Sequence, residues 1–516
     1  MNRKNHMLSL RRVFVTVAIL SGFILLGAIS GGAYEISESL QVNGFLENQT
    51  GFRTQDHSQG FAEEGDLSIM RTTAQVEGKG RLTENLTYSV KVRAWWEGMY
   101  EFDNNIDQRP DEYDEDIKDI DFGKYVLSGE YGRWNFQIGS QELVWGETDL
   151  FRMADVINPV DFSWHFLYTN LDADGYRQPL RMAVLGYDTG WNQVAFQFVV
   201  IPEEFRPIKL AAEGATWSHP VFNGLSLATL GTTGSPTYNL ANILMREGDD
   251  TSDFDNCAAG GRIRGMIGDA DLSMFYFYSR VQEPTIEFDE HGAMAAGALA
   301  QGVLLPGYSV AKIQQLASRA FMEVKYPKYH TLGVTANYFE PHLNMVFRVE
   351  AAYDIDHPYI DQQLTFLGEA VGLVPTVIKR DVFAYMVGFD KEFAFKWMRG
   401  RNLNMFGQMF QKYIIDSPDT LLYPFMDDTD DQTMFTLIFN CFLGQGNRWQ
   451  PQVVFGYDVT GAGMVWPSIK YAPSDNWSVG LNYTYIDGKF DNGMGGGYFN
   501  PYERNDEVYL QVRLKL

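Results

Sequence analysis

One stretch of the chain concentrates residues whose types and spacing could act on a solute. Gly139-Ser140-Gln141-Glu142-Leu143-Val144-Trp145-Gly146-Glu147 closes an extended segment, and an irregular run follows to Val156-Ile157-Asn158-Pro159-Val160-Asp161. Gly139 and Gly146 permit a positive φ or a close backbone approach. Asn158 before Pro159 holds an extended or turned backbone that cannot continue a strand. A stiff connection of this kind, folded inward, would bring Glu147, Arg152 and Asp155 to a narrow aqueous gap, where opposed charges select solutes by charge and size. Its competing role is to brace a rim. Lys91 and Arg93 form a second lumenal candidate, because they share one face of an alternating segment with Thr87, Ser89 and Glu97. Such a pair can equally serve the stability of a wall.

Catalysis and metal binding have less support. There is no G-x-S-x-G elbow, no H-E-x-x-H helix and no P-loop. His57, His165, His219, His291, His330, His342 and His357 are dispersed without ligand spacing. His165 with Asp161 and Ser163 is the one constellation that would suit a hydrolase on a rim, and geometry decides such sites. Residues 101 to 121 hold ten carboxylates, and Asp427, Asp428, Asp430 and Asp431 form a second cluster. Carboxylate oxygens suit calcium, but EF-hand spacing is missing and solvated external loops are the expected reading. Cys257 and Cys441 cannot build a disulfide scaffold or a thiolate zinc cage. No metal or cofactor is expected.

The chain that must position these residues has 516 of them, 41 Lys+Arg against 66 Asp+Glu and a net charge of −25. Nucleic acid is a poor partner for that balance, since phosphate binding needs clustered cations. Arg3, Lys4, Arg11 and Arg12 precede an apolar run from Val13 to Ile29, and Ser30, Gly31, Gly32 and Ala33 follow. This is the pattern of a cleaved secretory signal over 1 to 33, with the mature protein beginning after Ala33. Its 17 apolar-run residues, interrupted by Thr16, Ser21 and Gly22, fall short of the roughly 20 that span a bilayer as a helix.

Beyond Ala33 the dominant period is two. Leu86, Tyr88, Val90, Val92, Ala94 and Trp96 share one face, with Trp95 an exception on the polar one. Trp477, Val479, Leu481, Tyr483 and Tyr485 oppose Ser478, Gly480, Asn482 and Thr484. Val508, Leu510, Val512, Leu514 and Leu516 oppose Glu507, Gln511, Arg513 and Lys515. Strands of about ten residues with one apolar and one polar face are what a lipid-facing closed sheet requires, because closure leaves no backbone group facing hydrocarbon. Tight turns such as Thr83-Glu84-Asn85 and Pro473-Ser474-Asp475 alternate with long polar connections. Aromatics stand at strand ends: Tyr131, Trp134, Trp191, Trp397, Trp449 and Trp477.

The expected fold is therefore an all-β, transmembrane, antiparallel up-and-down barrel over 34 to 516, of about 16 to 18 strands, with short helices in long connections. Candidate strands run from 39 to 54 through 505 to 516 and number about 19. An even number is needed, so one assignment between 318 and 354 is surplus. Met294 to Ala317 and Ile360 to Val371 leave the period of two and are expected as helices. A barrel this wide holds water or a plug rather than wall side chains alone.

The blocks around Gly139 also carry a resemblance. The chain resembles the outer-membrane barrel family catalogued as domain of unknown function 1302, found in Gram-negative bacteria. Its pattern looks like G-x-Q-x-x-x-W-G-E, here Gly139, Gln141, Trp145, Gly146 and Glu147, followed by I-N-P-x-D, here Ile157, Asn158, Pro159 and Asp161. Further similarity lies in Val346-Phe347-Arg348-Val349-Glu350-Ala351, Val387-Gly388-Phe389-Asp390-Lys391 and Asn404-Met405-Phe406-Gly407-Gln408-Met409-Phe410. The resemblance covers roughly 40 to 516 and implies an outer-membrane barrel. It also hints at partnership with periplasmic or inner-membrane systems that export hydrophobic compounds. The partners so implied are outer-membrane lipids and lipopolysaccharide, the barrel assembly machinery and those transport proteins. The last strand departs from the usual aromatic end, since Tyr509 lies inside it and the chain ends in Leu516. The expected function is a porin-like channel for small or amphipathic solutes. A binding partner of an export system is the alternative, and a rim hydrolase the remote one.

Overall fold

The structure is a computed structural model that describes residues 34–37, 40–56, 63–102, 118–149, 151–165, 176–202, 205–210, 217, 245–247, 256–288, 309–317, 322–367, 370–398, 401–418, 421–422, 431–488 and 498–516. Eighteen antiparallel strands close into a barrel. The first six are β1 (Leu40–Arg53), β2 (Leu67–Thr83), β3 (Leu86–Glu97), β4 (Lys118–Tyr131), β5 (Trp134–Gln141) and β6 (Leu180–Asp188). Then come β7 (Ala195–Ile201), β8 (Ala258–Ile267), β9 (Ala270–Arg280), β10 (Lys328–Glu340), β11 (Met345–Leu367) and β12 (Ala370–Ala394). The circuit ends with β13 (Asn402–Ile414), β14 (Asp431–Cys441), β15 (Trp449–Asp458), β16 (Gly463–Tyr471), β17 (Trp477–Asp487) and β18 (Glu507–Lys515). Each strand pairs with its neighbour in sequence, and β18 pairs back onto β1 from Phe45↔Lys515 to Arg53↔Glu507. That last ladder removes both sheet edges, which hydrocarbon would not tolerate.

Strand phase sorts the side chains. Ile138 is 54%, Met274 59% and Leu481 50% exposed, and Val76, Phe122, Phe198, Val334, Val387 and Phe455 are likewise exposed on the outer surface. These residues form an apolar belt around the wall. Their neighbours point inward: Ser478, Asn482 and Thr484 on β17 are buried, as are Gln511 and Arg513 on β18, where both donate to Glu47 Oε2. Trp95, the apolar exception, points inward too, and the Arg71 guanidinium lies 5.1 Å from its ring centroid. Cation–π contact explains why an indole stands among polar neighbours.

All eight connections at the end where β1 begins and β18 ends are short, at most seven residues. Gly132 (φ +62) and Gly268 (φ +61) make the tightest of them possible. Exposed Tyr131, Trp134, Trp191 and Trp449 ring this end, with Trp134 tilted against Tyr187 and Trp449 against Tyr471 at centroid distances of 4.6 and 4.3 Å. The connections at the other end include the long ones. Met322–Lys325 pairs there with Thr285–Phe288 and Met245–Glu247 in a separate three-stranded sheet. The expected barrel strand at 318 to 327 is thus corrected: it belongs to a connection, and its removal gives the even count.

Val310–Ala317 is helical, as expected from its period. The expected helix over Ile360 to Val371 is not formed. That segment continues β11 and turns into β12, with pairing from His357↔Arg380 to Leu367↔Ala370. The two strands outrun their neighbours, since β10 pairs only as far as Ile355 and β13 only from Val382. A hairpin arm that projects past the wall need not alternate for lipid, so its period misleads. Signal residues 1 to 33, most of the acidic run 101 to 121, Asp427, Asp428, Asp430 and the rest of the expected 294 to 317 helices lie outside the described residues. Cys257 and Cys441 are free thiols.

Candidate functional site

The chain leaves β5 at Gln141 and, instead of turning outward, enters the barrel. Gly139 makes the exit possible, because at φ +136 a Cβ would lie 1.9 Å from the Tyr125 carbonyl oxygen. Residues 142–165 then touch inward-facing side chains of β3, β7, β9, β11, β13 and β18. Only a segment inside a closed sheet can meet the same face of so many strands.

Trp145 anchors its start. The indole is 0% exposed, lies 5.2 and 6.0 Å from the Phe275 and Phe277 rings, and donates to Gln197 Oε1 at 2.7 Å. Phe151 does the same farther on, packed edge-on against Phe410 and Tyr498 at 5.3 and 4.4 Å. Between the two aromatic anchors and just beyond the second, the segment is held by charged and amide side chains of the wall. Buried Glu350 on β11 accepts from the Glu147 and Ala154 N–H groups at 2.5 and 2.6 Å. Gln408 Oε1 accepts from Asp149 N at 3.1 Å. Arg348 donates to the Glu147 carbonyl, grips Asp149 with two bonds of 3.0 and 2.6 Å and reaches Asp390 at 2.6 Å. Gly146 is required where the segment doubles back, since a Cβ there would meet Asp155 N at 2.9 Å and Glu350 Oε2 at 3.2 Å.

Asn158 closes the neck. Its Oδ1 accepts from Leu143 N at 2.8 Å, and its Nδ2 donates to the carbonyls of Gln141 and Gln178 at 3.1 and 2.9 Å. One fully buried side chain thereby ties the exit of β5, the segment's return and the approach to β6. Pro159 follows, and its carbonyl accepts from Gln178 N. Asp161 accepts from both the amide and the hydroxyl of Ser163 and begins a short parallel pairing with Lys209–Leu210.

The sequence-derived candidates divide in this frame. Arg152 and Asp155 come together at 3.3 Å, and Asp155 also holds Arg177 at 2.8 Å. The Arg152 guanidinium further donates to the carbonyls of Asp155 and Asn158 and to Gln282 Oε1. Its donors serve the segment's own backbone, so Arg152 positions the segment. Glu147 lies within electrostatic reach of Arg262 and Arg264 on β8, which alternate with outward-facing Ile263 and so point inward. Lys91 points inward and meets Glu142 at 3.8 Å, at the foot of the segment. Arg93 also points inward but donates to Gln75 Oε1 at 2.9 and 2.6 Å. His165 Nε2 faces Glu507 Oε1 at 3.0 Å and its ring packs on Trp217 at 4.4 Å, while the Ser163 hydroxyl goes to Asp161. Ser163 and Asp161 thereby pair with each other, while His165 is drawn away to Glu507.

The residues that sequence reasoning left without a role are Arg348, Glu350, Asp390, Gln408 and Phe410. All five stand in the three strand segments that carried the family resemblance. Charged and amide side chains recurring on one face of otherwise apolar strands were the available signal.

One family profile matches residues 20–516, that of "Protein of unknown function (DUF1302)". A search of curated proteins finds no match. Among solved structures, OccAB1 of Acinetobacter baumannii is similar at 9% identity over 95% of this chain and 99% of that one, with a TM-score of 0.48. The outer membrane channel DcaP of the same organism is similar at 9% identity over 95% and 100%, TM-score 0.40. OmpF of Salmonella typhi, solved with daunomycin, is similar at 9% over 92% and 97%, TM-score 0.39.

Proposed function

Given that the chain belongs to the DUF1302 family, we propose that it is an outer-membrane, porin-like conduit for small or amphipathic solutes whose bore is narrowed by residues 142–165. The observation that carries this reading is the fixing of that segment across the interior by Glu350, Gln408 and Arg348, with Glu147 within electrostatic reach of the wall residues Arg262 and Arg264. Opposed charges across a confined aqueous path select by charge. The apolar outer belt supports a place in the bilayer, and the basic and apolar pattern of residues 1 to 33 supports delivery by a cleaved signal. Insertion would then rest on the barrel assembly machinery, with lipid and lipopolysaccharide as surroundings.

Planar-bilayer recordings test the proposal. The native barrel is expected to conduct, Glu147→Gln to shift the cation-to-anion permeability ratio severalfold toward anions, and Arg152→Gln to alter open-channel noise more than selectivity. Unchanged selectivity in Glu147→Gln and Arg348→Gln would take the segment out of the pathway. A barrel that never conducts but co-purifies with periplasmic proteins would favour the export-partner reading instead.

A further inference from the structure

A cavity of about 180 Å³ lies between the lumenal segment and the wall near the long-connection end. Phe151, Phe162, Ile208, Met434 and Tyr498 give it an apolar side, while Asp155, His357 and Lys412 stand on its polar side. An apolar cavity of about 150 Å³ admits a benzene ring, so the size suits a small ring with a short head group. Asp155 is 3% exposed, and its Oδ2 is occupied by Arg152 and Arg177. Its buried Oδ1 accepts no hydrogen bond. His357 is buried on the same side. A buried acceptor left without a donor is costly, which favours a molecule that brings one. Among the charged groups of the lining, Arg152 and Lys412 are outnumbered by Asp155, Glu283 and Asp354. A carboxylate would meet an excess of its own sign there, whereas a hydroxyl or ammonium would not.

We propose that this cavity is a binding subsite for small amphipathic molecules with a compact apolar body and a hydrogen-bond-donating hydroxyl or ammonium head. The apolar body rests on Phe151, Ile208 and Tyr498, and the head donates to Asp155 Oδ1. This names a solute class for the conduit and rests on that reading for its part in passage, though not for binding itself.

The test uses the full barrel refolded into phosphatidylcholine nanodiscs and three probes with one ring and different heads: benzyl alcohol, benzylamine and benzoate. Saturation-transfer NMR is expected to show saturable binding of the first two and at least tenfold weaker binding of benzoate. Asp155→Asn is expected to weaken benzylamine about tenfold and benzyl alcohol less. Because Asp155 also holds two arginines, Met434→Trp supplies an independent variant: it fills the cavity from the wall and is expected to abolish binding of both donors. Heat-modifiable migration verifies the barrel in each. Benzoate binding as tightly as the donors, or full binding retained in Met434→Trp, overturns the subsite. Binding without current in planar bilayers overturns only the conduit; current without saturable binding overturns only the subsite.

Discussion

Glu350 shows how much one side chain can organise when its surroundings leave it no alternative. It is completely buried, and its two oxygens take two backbone N–H groups from the lumenal segment. Charge-assisted bonds of this kind contribute roughly 1.5–3 kcal/mol each. Glu350→Gln preserves shape but turns an NH₂ toward one of those donors. The Glu147 and Ala154 amides are expected to exchange with solvent roughly 20- to 30-fold faster, equivalent to about 2 kcal/mol, while wall amides stay unchanged. Equal exchange in both proteins would deny Glu350 this role. Asp506, in the connection before β18, behaves differently. Burial pushes its carboxyl up to about 6, although it accepts from Ile486 N at 2.8 Å and Gln55 Nε2 at 2.7 Å. An acid whose folded value lies above its ordinary 3.8 favours the folded chain when protonated. That contribution is complete below about pH 4 and is lost as pH rises through 6. The guanidinium unfolding midpoint is expected to fall between pH 5 and pH 7, and to fall distinctly less in Asp506→Asn.

At the scale of elements, the lumenal segment is a loop that behaves as part of the wall. Several of its described backbone N–H groups are satisfied by side chains from strands far away in sequence, as buried polar groups require. Asn158 is the joint between segment and strand. Asn158→Ala leaves Leu143 N without its acceptor and frees two carbonyls, a loss of about 2–3 kcal/mol. That is expected to release the neck and leave the barrel intact: single-channel conductance should rise and a protease should cut between 142 and 165, with heat-modifiable migration preserved. Uncut protein of native conductance would show that the two aromatic anchors, Trp145 and Phe151, suffice without the joint.

For the whole molecule the decisive property is closure with opposite solvents on the two faces. A polar substitution is then tolerated or not according to strand phase alone. Leu481 lies midway along β17 on the outer belt, one residue from inward Asn482. Leu481→Arg is expected to destabilise the barrel in lipid vesicles by about 2–4 kcal/mol, read from reversible unfolding, whereas Asn482→Ser should stay within about 1 kcal/mol. Equal costs at both positions would contradict a lipid-facing belt.

The sequence alone determined the barrel, the facing of its strands and the two kinds of connection, because a period of two reports locally which solvent each residue meets. It also marked Gly139 and Gly146 as points of positive φ or close backbone approach, where Gly139 takes φ +136 and a Cβ on Gly146 would meet Asp155 and Glu350; at Asn158 it is the side chain that makes the joint. Its failures are equally local in origin. The helix expected at Ile360 to Val371 arose where a projecting hairpin no longer answers to lipid, and the surplus strand at 318 to 327 alternates but pairs with strands of two long connections. What only the tertiary structure decided is where the segment after β5 goes and what holds it. Glu350 and Gln408 lie some 200 or more positions from the amides they receive, and nothing along the chain encodes that meeting. It follows from closing the sheet, which brings the inward faces of distant strands around one shared interior.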